Sequence, residues 1–441
     1  MSISAFSVSV LPLRRGRVLK KPAVLSISVA VALLSHILFL LFLPRDLQRT
    51  SSPDYVTFYG PVASTLVAGG GFFLASKPAL LYPCGLPILY AATFRIADAL
   101  HIARNMGLRI LEALVLALTS LLVSLLALVT MSWRVSLAAS IIWSTYPFHL
   151  WLTKQPDPTS VFSLLLLLAV FSFVSWSIEG HRPVQYGAML GLVLGSAALI
   201  KPLAIALPVV FAVLACICIV PCRRRQRAIF SICMFVAFLL PISPWELWAR
   251  KVSGQWIPLC TNGPNVLIDG LTLGTVRDLK PGWMPQDVRA LTQDAVKHYG
   301  DLKTTRSIAN FVIAKIRKEP KVVAELFLVK AARSWYGNES HTFEKWVVLL
   351  QMFYLPFVIF GAREMFKGNR QQRNLLSIIA AVVLYFWAVA TFTALPELRY
   401  LVPAMSLVTI LVAVAFYALA IQCSHNHSGA RSPARILLQE E

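Results

Sequence analysis

Charge is scarce in this sequence. Only 14% of its 441 residues are Asp, Glu, Lys or Arg, 57% are hydrophobic, and the mean hydropathy is +0.68. Soluble globular chains carry roughly a quarter charged residues, so that class is excluded. Acids are scarcer still, 20 against 41 Lys and Arg, for a formal net charge of +21. That balance would raise nucleic acid as a partner, but the cations fall in short loops between apolar runs. Such placement marks orientation signals of a membrane protein, and nucleic acid is set aside. The seven cysteines show no metal-ligand spacing. Cys216, Cys218, Cys222 and Cys233 read as small apolar fillers, whereas Cys84 and Cys260 both fall on the outer side, where a pairing is open to them. A cleavable leader is also missing: the apolar run from Pro22 to Pro44 is about 21 residues, enough to cross a hydrocarbon core. It ends in no small-residue cleavage site, so it reads as a retained anchor with its N-terminus inside. No internal repeat is visible.

What is present is a series of apolar runs of helical length. After the first, they cover about 108–130, 135–150, 158–178, 187–200, 203–220, 228–245, 346–362, 375–395 and 401–421. The fold class is therefore an all-α polytopic membrane protein, a bundle of about ten transmembrane helices with juxtamembrane helices on its outer face. Residues 1–21 form a basic cytoplasmic N-terminus, 22–421 the transmembrane domain, and 422–441 a cytoplasmic tail. The segment from Gly85 to Ala103 decides the topology. It is apolar but broken by Arg95, Asp98 and His101. If it lies on the outer surface as an amphipathic helix, Arg134, His181-Arg182, the Arg223–Arg227 run and Arg363 to Arg373 all fall inside. If it spans, all of them fall outside, so the surface reading is preferred. Residues 44–107 then form a first outer loop and 246–345 a large one. In the large loop, the stretch from about Gln286 to Trp335 predicts two or three helices, and the QWIPLCTNGPNVLIDGLTLG stretch predicts extended chain and turns.

Charged residues near membrane depth are costly and are candidates for function by default. They recur at the outer helix ends: Asp54 in SPDY, Asp157 in KQPDPTS, Lys201 in ALIKPLA, and Glu397 with Arg399 in LPELRYLVP. Arg109 opens the second span and Arg250 follows the seventh. Together they predict a mixed acid and base cleft on the outer face. Lys and Arg suit an anionic phosphate held at the membrane surface. A carboxylate within reach of an acceptor hydroxyl or amine suits general base chemistry, with Asp54 first in line. Asp157 would orient the acceptor, strengthen that base through like-charge proximity, or share a divalent cation with it. Each carboxylate also has a purely structural reading, as the N-cap of the helix that follows it. Lys201 and Arg399 equally fit snorkelling side chains, and Glu397 with Arg399 a structural ion pair.

In order, these stretches resemble the GT-C glycosyltransferases that use polyprenyl-phosphate sugars, in particular the protein O-mannosyltransferases and the lipid A aminoarabinose transferase. The matching features begin with Asp54, Tyr59, Gly69-Gly70-Gly71 and Pro83-Cys84-Gly85-Leu86-Pro87 in the first outer loop. They continue with Arg109, Asp157-Pro158 before a Leu-rich run, GLVLGSAALIKP, SPWELWARKVSGQWIPLCTNGPNVLIDG, and Arg399-Tyr400 with Pro403. Cys84 and Leu86 stand where the family has Pro and Tyr, and no second acid follows Asp54. The resemblance implies a GT-C-like bundle and sugar transfer with inversion from a polyprenyl-phosphate donor to a glycan, lipid or protein acceptor. It implies Asp54 as base, Arg109, Lys201 and Arg399 as donor-phosphate contacts, and Asp157 on the acceptor side; the placement of the charges adds Arg250 to the phosphate contacts, and Tyr59 and Glu397 are further site candidates. No cofactor is implied, although a divalent cation is compatible, and the setting is a bacterial inner membrane with both termini cytoplasmic and the site outside. Two rivals share the composition: a non-catalytic GT-C-like partner in envelope glycan assembly, and a lipid or sugar transporter. A transporter would be expected to show internal repeats and midplane charges, whereas these charges sit at one face.

Overall fold

Hydrocarbon offers a backbone no hydrogen-bond partners, so apolar runs of this length close their bonds internally as helices. The computed structural model describes residues 20–44, 52–218, 222–275, 284–338 and 343–428. Most of the basic stretch 1–21, part of the first outer loop and the end of the tail 422–441 lie outside the described residues. Within them are α1 (Lys20–Phe42), α2 (Gly60–Val67), α3 (Gly85–Ala99), α4 (Arg104–Thr130), α5 (Trp133–Ser144), α6 (Pro147–Leu152), α7 (Pro158–Glu179), α8 (Pro183–Ile200) and α9 (Leu207–Ile217). They are followed by α10 (Arg224–Ser253), α11 (Gly263–Thr272), α12 (Gln286–Lys297), α13 (Thr305–Lys318), α14 (Pro320–Arg333), α15 (Glu344–Lys367), α16 (Arg370–Phe392) and α17 (Val402–Ser428). A two-stranded hairpin pairs Phe73–Leu74 with Lys77–Pro78.

Eight of these helices are long and apolar enough to cross a membrane: α1, α4, α7, α8, α10, α15, α16 and α17. The other two expected spans are shorter and broken. Pro147 ends the continuity of 135–150, leaving helices of 12 and 6 residues, because a residue before proline is pushed out of helical geometry. Pro202 and Pro208 similarly divide 203–220 into a 3₁₀ turn, Pro202–Ala204, and the 11 residues of α9. The chain is an all-α multi-pass membrane protein.

Small residues set the interhelical distances. Gly187, Gly191 and Gly195 recur every fourth residue of α8, where any Cβ would run into the backbone carbonyls of Phe230, Met234 and Phe238 in α10. The two helices therefore lie backbone to backbone, the favoured packing where no hydrophobic drive separates helix from lipid. On the opposite side, α1, α4 and α5 are joined by buried serines. Ser28 meets Ser140 at 2.8 Å, Ser124 meets Ser136 at 2.8 Å, and Ser120 meets Ser144 at 2.8 Å. α7 lies between these two groups, with both its faces covered along most of its length.

The ambiguous 85–103 segment forms the 15-residue α3, separate from the 27-residue α4 that follows. Its buried residues, Leu86, Pro87, Tyr90, Ala91, Phe94 and Ala97, fall on one helical face, while Arg95 and Asp98 are exposed. At its start, a Cβ on Gly85 would sit 2.6 Å from the Leu199 carbonyl, so α3 is seated directly on the last turn of α8. The large loop packs a second hydrophobic core of its own from α11, α12, α13 and α14, centred on Ile268, Val288, Leu291 and Leu326. The stretch expected to be extended contains α11. Asn262-Gly263-Pro264 looks like a turn, yet proline is well suited to a first helical turn, where its missing N–H costs nothing. Cys84 and Cys260 are free thiols.

Candidate active site

The helix ends bring five of the sequence-selected charged residues into one polar cluster. Asp54 precedes a π-helical turn, Tyr55–Tyr59, but its side chain does not cap that turn. Instead its Oδ1 accepts a hydrogen bond from the Tyr82 hydroxyl at 2.9 Å. Tyr82 is held by aromatic neighbours: its ring centroid lies 5.1 Å from Tyr59 and 5.2 Å from Phe58. Tyr59 is buried, and burial first, then the negative charges of Asp54 and Asp157, hold its hydroxyl protonated well above the ordinary tyrosine range. Beneath it, fully buried Tyr90 stands edge-on to Tyr55 and Tyr59.

Asp157 does cap its helix. Its Oδ1 accepts from the Thr159 backbone N–H at 2.6 Å, with Pro158 filling the first turn of α7. The Thr159 hydroxyl in turn accepts from Lys201 Nζ at 2.8 Å. Lys201 sits in the turn between α8 and the following 3₁₀ turn, where its ammonium is drawn down to about 8. Burial is the main cause; Asp157 opposes it most strongly, Glu397 and Asp54 less so, while Arg399 adds to it. The Tyr400 ring lies under both cations, 5.4 Å from Lys201 Nζ and 5.4 Å from the Arg399 guanidinium carbon. Arg399 Nε donates to Glu397 Oε2 at 2.6 Å, and Glu397 is almost wholly buried.

Three carboxylates, two cations and a wall of tyrosines thus meet where α7, α8 and the Glu397–Tyr400 turn end, and Tyr59 belongs to the same cluster. Among the described residues, neither Arg109 nor Arg250 contacts it. Arg109 lies on an exposed face of α4 and acts on His36 of α1. Arg250 is exposed and stacks on Trp256 at 4.7 Å. Sequence reading missed Glu112, Tyr82 and Tyr90. Glu112 is buried inside α4 close to Asp157 and Ser160. Its signal was present, an acid inside the apolar run RILEALVLAL. Tyr82 and Tyr90 carried no local signal that separates them from interfacial aromatics.

An apolar groove of about 600 Å³ lies between α15, α16 and α17. Trp335 and Tyr336 line it, and the adjoining Gly337 carbonyl accepts from Leu398 N–H at 2.9 Å, next to Arg399. Met405, Val408 and Leu411 carry its wall down α17. For a shared divalent cation the fit is poor: among the described residues, no group of three or more His, Cys, Asp or Glu is placed to hold a metal. Chemically, the cluster can bind an anion through Lys201 and Arg399 and accept a proton at a carboxylate a short distance away.

No family model matches the chain, and no curated protein does. Solved structures do. The oligosaccharyltransferase AglB of Archaeoglobus fulgidus, determined with an inhibitory peptide and a dolichol-phosphate, aligns over 93% of this chain at TM-score 0.54 and 16% identity. The Archaeoglobus fulgidus oligosaccharyltransferase tethered to an acceptor peptide with the NVT sequon aligns over 94% at TM-score 0.58 and 13% identity. A structure of ArnT from Cupriavidus metallidurans bound to undecaprenyl phosphate aligns over 92% with a TM-score of 0.39. The chain spans about half the length of the archaeal structures, 52% in both alignments. The chain shares its fold with these oligosaccharyltransferase structures.

Proposed function

We propose that this protein is an integral-membrane glycosyltransferase that moves a sugar from a polyprenyl-phosphate donor to an acceptor at the outer face. The observation that carries the proposal is the gathering of Asp54, Lys201 and Arg399 in one polar cluster, with Lys201 feeling the charge of both. A donor of this kind has two unlike parts, an anionic phosphate and a long hydrocarbon chain. Lys201 and Arg399 suit the phosphate, and the groove along α17 suits the chain. In the reaction, an acceptor hydroxyl or amine attacks the anomeric carbon as the bond from that carbon to the phosphate oxygen breaks. The acceptor proton passes to the Asp54 carboxylate, and the electron pair stays on the leaving polyprenyl phosphate beside the two cations. One displacement gives inversion.

Asp157 is tied to Thr159 as a helix cap and reaches the cluster through that residue's hydroxyl, so its role is to hold Lys201 in place and charged. Glu397 does the same for Arg399. Tyr82 donates to Asp54 and so fixes the direction in which its free oxygen points. Arg109 and Arg250 are left out because of where they lie. The sugar and the acceptor would be named by mass spectrometry of envelope lipids, glycans and glycoproteins with and without the protein.

The test is sugar transfer in membranes supplied with a labelled polyprenyl-phosphate sugar, comparing wild type with Asp54→Asn. Transfer should vanish while protein abundance stays constant. Full activity in the variant removes Asp54 as base, and donor binding with no turnover in the wild type points to the non-catalytic partner instead.

A further inference from the structure

The large outer loop holds a second cavity, away from the polar cluster. It measures about 300 Å³, at the lower end of the range for small-ligand pockets. Its walls come from α11, α12, α13 and α14, with Phe392 at the end of α16 closing the side nearest the membrane bundle. Leu291, Ile308, Val312 and Leu326 make the lining strongly apolar. Two lysines interrupt it. Lys315 is accounted for, since its Nζ lies 2.9 Å from Asp294 and 3.5 Å from Glu319.

Lys330 is different. It is only 2% exposed, yet no carboxylate is within ion-pair distance of it among the described residues. Its closest charge-related neighbour is the Phe327 ring, 5.9 Å from Nζ. A buried cation without a counter-ion is costly, and lysines are among the residues least often found fully buried. Burial alone lowers the Lys330 ammonium to about 7. A structural role does not explain it, because a leucine or methionine would pack this wall with no such cost. An anion brought into the cavity would remove the penalty, and the apolar walls would hold a hydrocarbon chain attached to it.

We propose that this cavity binds a single-chain anionic amphiphile, its head against Lys330 and its alkyl chain along Leu291, Ile308 and Leu326. Phe392, which is exposed at the end of a membrane-spanning helix and packs on Phe327 at 5.1 Å, places the cavity next to the bundle from which such a chain would be drawn. The occupant is a carboxylate-headed lipid chain released into the outer leaflet. This site is independent of the transfer reaction.

Full-length protein in phosphatidylcholine nanodiscs would be labelled with a photoactivatable dodecanoate, and the label competed with dodecanoate, dodecan-1-ol or inorganic phosphate. Wild type should prefer dodecanoate over dodecanol by about tenfold or more, as one charge-assisted hydrogen bond provides. Label should map to 305–330. Lys330→Met should erase the preference and Lys330→Arg retain it, and Ala309→Trp, at the exposed edge of the cavity, should weaken both chain ligands. Equal competition by dodecanoate and dodecanol in wild type overturns the proposal, and needs no variant to fold. So does a preference that survives Lys330→Met, label mapped elsewhere, or displacement by inorganic phosphate alone.

Discussion

Lys201 is half-buried and Lys330 buried, and desolvation lowers both ammonium groups, to about 8 and about 7. Their surroundings are opposite. Lys201 feels Asp157, Glu397 and Asp54, and burial is its only large opponent besides Arg399. Lys330 has burial alone. A cation among carboxylates stays near its working charge whether or not a ligand is present, so it can be cleared and reloaded in every cycle. A cation in an apolar wall gains its counter-ion only from what it binds. The first arrangement belongs to a place of turnover, the second to a place of retention.

The largest effect expected from breaking this contrast is at Asp54. Asp54→Asn keeps the Tyr82 contact but removes the proton acceptor, and transfer should fall by roughly 10²–10⁴, read as initial rates with labelled donor. Next is Lys201→Met, for which loss of one charged hydrogen bond should weaken donor binding roughly 10- to 100-fold in a direct binding titration. Third comes pH. Lys201 is protonated below about 8 and loses its proton above that value, so donor affinity should decline from pH 7 to pH 9. Lys201→Arg, which stays charged, should flatten that profile.

Fourth is stability around Lys330. Its folded value lies below the ordinary lysine range, so between about 7 and the unfolded value the unfolded chain binds the extra proton. Stability therefore rises with pH through this window and is lowest below it. Melting followed from pH 6 to pH 9 should show the rise in wild type and lose it in Lys330→Met. The smallest effects belong to Arg109→Ala and Arg250→Ala, which should change transfer by less than about twofold because neither side chain contacts the cluster among the described residues. A tenfold loss in either would return that arginine to the donor site.

Much of the cluster was legible because hydrocarbon leaves few places for charge. Asp54, Asp157, Lys201, Glu397 and Arg399 stand out at helix ends, and helix ends on one side of a bundle are necessarily neighbours. What spacing could not decide was which carboxylate caps a helix. Both precede helices, yet Asp157 bonds to Thr159 N–H and Asp54 turns to Tyr82, a partner 28 residues on. Arg109 shows the limit of reading positions without phase: it lies next to Leu108, but a 100° step puts it on the exposed face, while Glu112 shares the buried one. Lys330 was invisible for another reason. In a Lys-rich loop its burial depends on how three helices fold back on one another, which no local pattern records.

Gly85 carries a last consequence, for traffic rather than for packing. With α3 seated on the Leu199 carbonyl, the helix and the turn that bears Lys201 close into a wall at that point. Under the proposed reaction that wall has no doorway, so donor and acceptor must arrive by the remaining sides. A bulky residue at position 85 would force α3 away from that turn and open the wall there.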